Sequence, residues 1–130
     1  MAGPMSVHEV TYLAQQDLSS SQWRVVIAGT VDYSCRLPTA AGVGRILGVL
    51  QNKPASGSAA RVRKLGISKV IAAGVIAFGD ELEVANTAGG VRVYTQDGDN
   101  GRLGSAEEAA VSGDIFTAVV MPIDISQLLS

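Results

Sequence analysis

The chain has 130 residues, a formal net charge of −2, and a composition 47% hydrophobic and 17% charged, the balance of one globular domain with its own core. The mildly acidic charge argues against a dedicated nucleic-acid binder, and a single cysteine, Cys35, excludes an internal disulfide and a multi-cysteine metal site. No apolar run approaches the roughly 18 residues needed to span a bilayer, and residues 1–20 lack the basic start and apolar stretch of a signal peptide.

Residues 1–21 are polar and rich in Gln and Ser, with Val7, Val10, Tyr12 and Leu13 as scattered apolar positions. Without strand alternation or turn punctuation, this segment predicts an N-terminal arm preceding a β domain over 22–130. Two readings stand for it: a poorly ordered terminus, or an extended arm that orders on a partner. From Gln22 the character changes. Trp23, Val25 and Ile27 alternate with Arg24, Val26 and Ala28 as a first strand, 29–32 turn the chain, and a short second strand over 33–37 is stopped by Pro38.

The central stretch, 42–69, reads as a β-hairpin and as the natural nucleus of the fold. Ile46, Leu47, Val49 and Leu50 form one apolar run, and Ala60, Val62, Leu65 and Ile67 form the second. Between them, 52–58 carry a Pro and a Gly that no central strand takes. Beyond it, Gly79-Asp80 predicts a tight turn with Leu82 and Val84 on one face of the next strand, and Gly89-Gly90 turns the chain into Val91 and Val93. A polar turn over 97–101 follows, and 115–121 close the fold as a strongly apolar strand. Residues 105–111 are helix formers, but seven positions between Gly104 and Gly113 make barely two turns, so a strand is expected over a helix. The sum is mainly β: a small single-domain β-sandwich or barrel, with Ile46, Val62, Val84 and Val119 as core positions.

A second feature is internal. Gly44-Arg45 matches Gly101-Arg102, Gly57 matches Gly113, and Val62 matches Val119 loosely. With two copies, a degenerate duplication and a chance resemblance are both open.

Residues for chemistry are sparse. His8 is the one histidine and falls in the expected arm, so no Ser/His/Asp or Cys/His set assembles around it. Cys35 stands beside Arg36 yet reads as a small buried hydrophobe. Gly42, Gly44 and Gly48 have the wrong spacing for dinucleotide binding, and Asp97, Asp99 and Glu108 fail as a calcium loop because Arg102 stands where a Gly is obligatory. The acidic groups Asp80, Glu81, Glu83 and Glu107-Glu108 could suggest paired carboxylates for acid–base work but read as solvated faces. Arg61, Arg63, Lys64 and Lys69 form the only basic cluster. Arg61 and Arg63 share a strand face, open either to an acidic partner or to the ordinary role of charges that keep an edge strand from mispairing. No catalytic residue, metal ligand or cofactor site is predicted.

The string GVLQNKPASGSAARVRKLGISKVIAAGVIAFGDELEV, with the later GGVRV and GDIFTAVVMP, resembles the capsid cement or head-decoration proteins of tailed bacteriophages. Residues 48–54, 62–66, 79–82 and 113–122 carry that family's segments in order. The departure is GSAEEAA after Arg102, in place of a Gly-x-x-Leu-Glu-Ala pattern. The resemblance implies a compact domain of the sandwich or β-tulip kind and a structural role: binding the outside of the assembled capsid and stabilising it. Its implied partners are the major capsid protein and neighbouring copies of the chain, a trimer among the arrangements, with no nucleic acid, membrane or enzymatic activity. The protein would be made in the bacterial host cytoplasm and reside on the virion surface. Val7, Val10, Tyr12, Leu13, Arg61 and Arg63 are the expected contacts. The alternatives are a small β-fold ligand- or carbohydrate-binding module, disfavoured by 5% aromatic content, and a small β-barrel enzyme.

Overall fold

The computed structural model of the chain describes residues 7–95 and 101–124, the side chains of 123 and 124 excepted. The turn expected at 97–101, with Asp97 and Asp99, thus lies largely outside the described residues, as do the first six residues of the expected arm. Nine strands are described: β1 (His8–Ala14), β2 (Val25–Ala28), β3 (Ser34–Arg36), β4 (Ile46–Leu50), β5 (Ala59–Ile71), β6 (Glu81–Val84), β7 (Val91–Val93), β8 (Gly101–Ala106) and β9 (Ile115–Asp124). No helix occurs among the described residues. The 105–111 segment ends β8 at Ala106, turns, and returns one bridge from Ala110 to Ile76.

Strand β1 corrects the expected arm. It pairs with β5 antiparallel from His8↔Leu65 to Leu13↔Ala59, and with β3 in parallel at Leu13↔Ser34 and Ala14↔Cys35. These pairings close β1, β3, β2, β4 and β5 into a five-stranded barrel. Its interior holds Tyr12, Ala14, Leu18, Val26, Cys35, Leu50, Ala60 and Val62. From His8 onward the segment is therefore part of the fold, because burying Tyr12 and Leu18 removes from water apolar surface that no other strand would cover.

The second half of the chain repeats this design. Val26 pairs with Gly48 as Leu82 pairs with Gly104, Ala28 faces Cys35 as Val84 faces Val91, and Tyr12 faces Ala60 as Val70 faces Phe116. The bridge Ala72↔Val91, parallel like Ala14↔Cys35, completes the ring of β5, β7, β6, β8 and β9. Residues 23–39 and 45–66 map onto 79–95 and 101–122 at a constant offset of 56, and β1 maps onto the end of β5 at an offset of 58. All eight interior residues of the first barrel fall on members of the second core: Val70, Ala72, Ile76, Leu82, Val91, Ala106, Phe116 and Ala118.

The molecule is thus two five-stranded barrels sharing one long strand. Residues 59–65 of β5 line the first barrel, and its later residues serve as first strand of the second. Val25 and Val49, on the wall of the first barrel, join the core of the second. Backbone bonds from Val25 N to Gly89 O (2.9 Å), Gly42 N to Val84 O (2.8 Å) and Ile71 N to Trp23 O (3.1 Å) sew the units together.

This geometry resolves the internal match. Gly57 and Gly113 are equivalent and share positive φ (85° and 94°), and the two GR elements meet, Gly101 lying against Gly44. Val62 corresponds to Ala118, one residue from the expected Val119. The same displacement corrects the core register of β9: Phe116, Ala118 and Val120 point inward, and Val119 is half-exposed on the outer face. Val62 and Val84 are fully buried, and Ile46 packs half-buried against the second core. Leu65 and Ile67 are exposed rather than buried, since β5 turns its even-numbered residues inward.

Candidate functional site

A contact surface can be built from the outer face of β5 and its neighbours. Strand β5 alternates inward and outward except at half-buried Arg63 and Lys64, so Arg61, Arg63, Leu65, Ile67 and Lys69 stand on one side. Registered pairing continues that side across the sheet: Ile67 faces Val119, Val119 faces Ser105, and Ser105 faces Glu81. The centre of this face is apolar. Leu65, Ile67, Met121 and Ile115 are 43%, 39%, 51% and 55% exposed, more than a fold needs for its own core.

Two depressions flank the apolar centre. The one on the first-barrel side, of about 460 Å³, is lined by Trp23, Gln51, Arg61, Arg63, Lys69 and Thr117 among others. Lys69 Nζ sits 5.6 Å from the centre of the Trp23 ring, a cation–π arrangement. Its floor is polar and satisfied: Gln51 Nε2 donates to Ser68 Oγ (2.9 Å) and Val49 O (3.0 Å), and Ser68 Oγ donates to Lys69 O (2.9 Å). The other, of about 210 Å³, lies between Glu81, Arg102, Gly104, Ser105, Val119 and Met121. Arg102 Nη1 donates to Glu81 Oε1 at 2.6 Å along its rim.

The expected contact residues divide. Arg61 is exposed, and Arg63 is half-buried against Glu9, bonded to its carboxylate through both Nε (3.0 Å) and Nη2. Val7 and Leu13 are exposed, with Leu13 on β1 opposite Ala59. Val10 is half-buried against the first core. Tyr12 is a core residue, its hydroxyl accepting from Lys64 Nζ at 2.9 Å, and offers little surface to a partner. The structure brings the β1 residues and the basic cluster together, because Glu9↔Arg63 and Thr11↔Arg61 are cross-strand pairs. Sequence reasoning placed Leu65 and Ile67 in an apolar strand run and Val119 in the core. The signal that would have placed them outside is the alternation set by Val62 and Val70.

The groups capable of chemistry are dispersed. His8 is exposed at the start of β1. Cys35 is fully buried in the first barrel, where desolvation pushes its thiol up to about 11, away from nucleophilic thiolate. Asp80 Oδ2 accepts from Ala77 N (2.8 Å) in the expected turn, with Gly79 at φ 90°. Glu83, expected on a solvated face, is instead completely buried, its carboxylate bonded to Arg92 Nε at 2.6 Å across β6 and β7 in a structural ion pair. Among the described residues no group of three or more His, Cys, Asp or Glu could hold a metal ion, and no helix is long and apolar enough to cross a membrane.

No protein-family model matches the chain, and no curated protein does. Among solved structures it is similar to the N base of head fiber gp8.5 of bacteriophage phi29, with 23% sequence identity and a TM-score of 0.65. The match covers 88% of this chain and 94% of that one, too much for one barrel alone. The chain shares the fold of that head fiber base across both of its barrels.

Proposed function

We propose that this chain is a structural protein of a bacteriophage head that binds the outside of the assembled shell and stabilises it. The observation that carries the reading is the fold likeness to a head fiber base across the whole double barrel. The segments at 48–54, 62–66, 79–82 and 113–122, which resemble head-decoration proteins, support it independently. They fall on the two equivalent hairpins and the turn that joins β5 to β6.

Physically the body suits the task. A shell-binding protein needs rigidity and contact area rather than a reactive group, and two closed rings leave few strand edges for proteases or mispairing. A protein that binds only the mature shell adds its binding free energy to shell stability, and many weak copies act together. On this reading the major capsid protein is the partner, and the chain performs no catalysis.

Co-sedimentation of the purified chain with empty shells tests this. The expected result is saturable binding at a fixed ratio to capsid protein, with a raised thermal disruption temperature of the shell. Absence of binding to both expanded and unexpanded shells would overturn the proposal.

A further inference from the structure

We infer that the depression beside Trp23 binds an acidic segment of a partner protein, with a side-chain carboxylate seated between Arg61 and Lys69. These two cations stand well apart along β5, yet both line the depression, because the strand bends where it passes from one barrel to the other. Gln51 holds the two limbs of the bend together: its backbone N donates to Arg61 O (2.8 Å) and its Nε2 to Ser68 Oγ (2.9 Å). A straight strand from 61 to 68 would span roughly 23 Å, more than one glutamine reaches. Gly66, at φ 117°, lies within the bend.

The pairing of the cations identifies the ligand. Arg63 is spent within the fold, its Nε and Nη2 on the Glu9 carboxylate and its Nη1 on Ile67 O (2.7 Å). Arg61 is not: its ion-pair neighbour, Glu9 Oε1, stands 3.9 Å away, and the other oxygen of that carboxylate is held by Arg63. Among the described residues Lys69 Nζ has no carboxylate in ion-pair reach, only the Trp23 ring at 5.6 Å. Glu108, beyond β9, is turned to the backbone, accepting from Thr117 N (3.0 Å). Two exposed cations thus meet over an uncharged polar floor, and a carboxylate would satisfy both.

The internal repeat supplies the comparison. At the offset of 56, Trp23, Gln51 and Arg61 fall on Gly79, Glu107 and Thr117, so the fold requires neither the indole nor the cation. Trp23 has φ 68°, an angle that disfavours any residue with a Cβ, and Gly79 has φ 90°. The indole is an addition at a strained position, and such residues gather at ligand sites. Lys69 covers one face of the ring against stacking by a base, and two unpaired cations are few for a nucleic-acid groove. A volume of about 460 Å³ suits a stretch of peptide better than a lone ion. On the function proposed above, on which this last step rests, the acidic segment belongs to the shell protein.

Trp23 is the one tryptophan of the chain, so its fluorescence reads the site directly. The purified full chain, without shells, is titrated with a capped hexaglutamate peptide and with hexaglutamine, and a calorimetric titration reads the same binding should the indole prove insensitive. The expected result is saturable binding of hexaglutamate that added salt weakens, and none of hexaglutamine. Arg61→Gln and Lys69→Gln should each weaken it at least about threefold and the double variant at least about tenfold. Both side chains are exposed, so thermal unfolding should be unchanged. Lys53→Gln removes the same charge from an exposed position outside the depression and should leave binding as it was. No binding of hexaglutamate, equal binding of hexaglutamine, or equal weakening by Lys53→Gln overturns the inference. Displacement of the peptide by equimolar inorganic phosphate makes this a site for free anions, and tighter binding of a short single-stranded oligonucleotide assigns it to nucleic acid; either result overturns the acidic-peptide assignment. Because the measurement uses no shell, its failure leaves the proposed function standing.

Discussion

Gly48 and Gly104 occupy one equivalent position in the two barrels, each at the same unusual backbone angle (φ 152° and 154°) and each facing a strand carbonyl, that of Arg63 and that of Val119. A Cβ at either site would fall on that oxygen, so the repeat retains glycine there while most other positions have diverged. Gly48→Ala and Gly104→Ala are each expected to cost at least about 2 kcal/mol in urea denaturation. Gly57→Ala, also at positive φ but in open space, should cost only about 1 kcal/mol. Equal costs at all three sites would mean that the carbonyl contact is not the deciding term.

Trp23 and Tyr33 have positive φ (68° and 58°), and their equivalents in the second barrel are Gly79 and Gly89. The bends belong to the fold and the side chains are additions. Tyr33 is 79% exposed, so Tyr33→Gly should relieve strain at little loss and raise stability by about 0.5–1 kcal/mol. Trp23→Gly should destabilise, since it also removes the ring beneath Lys69. A calorimetric melt of the two variants, moving in opposite directions, checks both.

Removing residues 2–14 deletes β1 and opens the first barrel, so the truncated chain should lose its cooperative unfolding transition. Tyr12→Ala should cost about 3 kcal/mol. A truncated chain that melts like the full one would show β1 to be dispensable.

Much of the barrel was legible because it is local. The β4–β5 hairpin, the Gly79-Asp80 and Gly89-Gly90 turns, and the inward pair Leu82 and Val84 follow from short-range spacing. Strand β1 was not, because its partners lie some 50 positions away in β5 and the polar–apolar alternation of Glu9, Val10, Thr11 and Tyr12 is short and is broken by the outward Leu13. In β9 nearly every residue from Ile115 to Met121 is apolar, so composition could not tell the inward Ala118 and Val120 from the outward Val119. The same ambiguity concealed the candidate surface, whose Val119 was expected in the core and whose Leu65 and Ile67 were read only as part of an apolar strand run. The ion pair of buried Glu83 with Arg92 was equally hidden, since in the first barrel its position is an isoleucine, Ile27.

Burial raises the Cys35 thiol from its ordinary value near 9 to about 11, so between those values the unfolded chain loses the proton that the folded chain keeps. Cys35 therefore contributes a stability that falls as pH rises through this window and is complete below it. Cys35→Ala should flatten this part of the stability–pH profile, measured by urea unfolding from pH 8 to pH 11. In the native wild type, a thiol reagent at neutral pH should modify Cys35 only after unfolding. Rapid labelling of the folded chain would contradict its placement inside the first barrel.

The most direct measurement of the central claim is an electron-microscopy comparison of phage heads assembled with and without this chain. The account predicts additional density at regular positions on the outer surface of the shell, each large enough for the double barrel, and absent from the heads that lack the chain. Identical maps, or density confined to the interior, would contradict it.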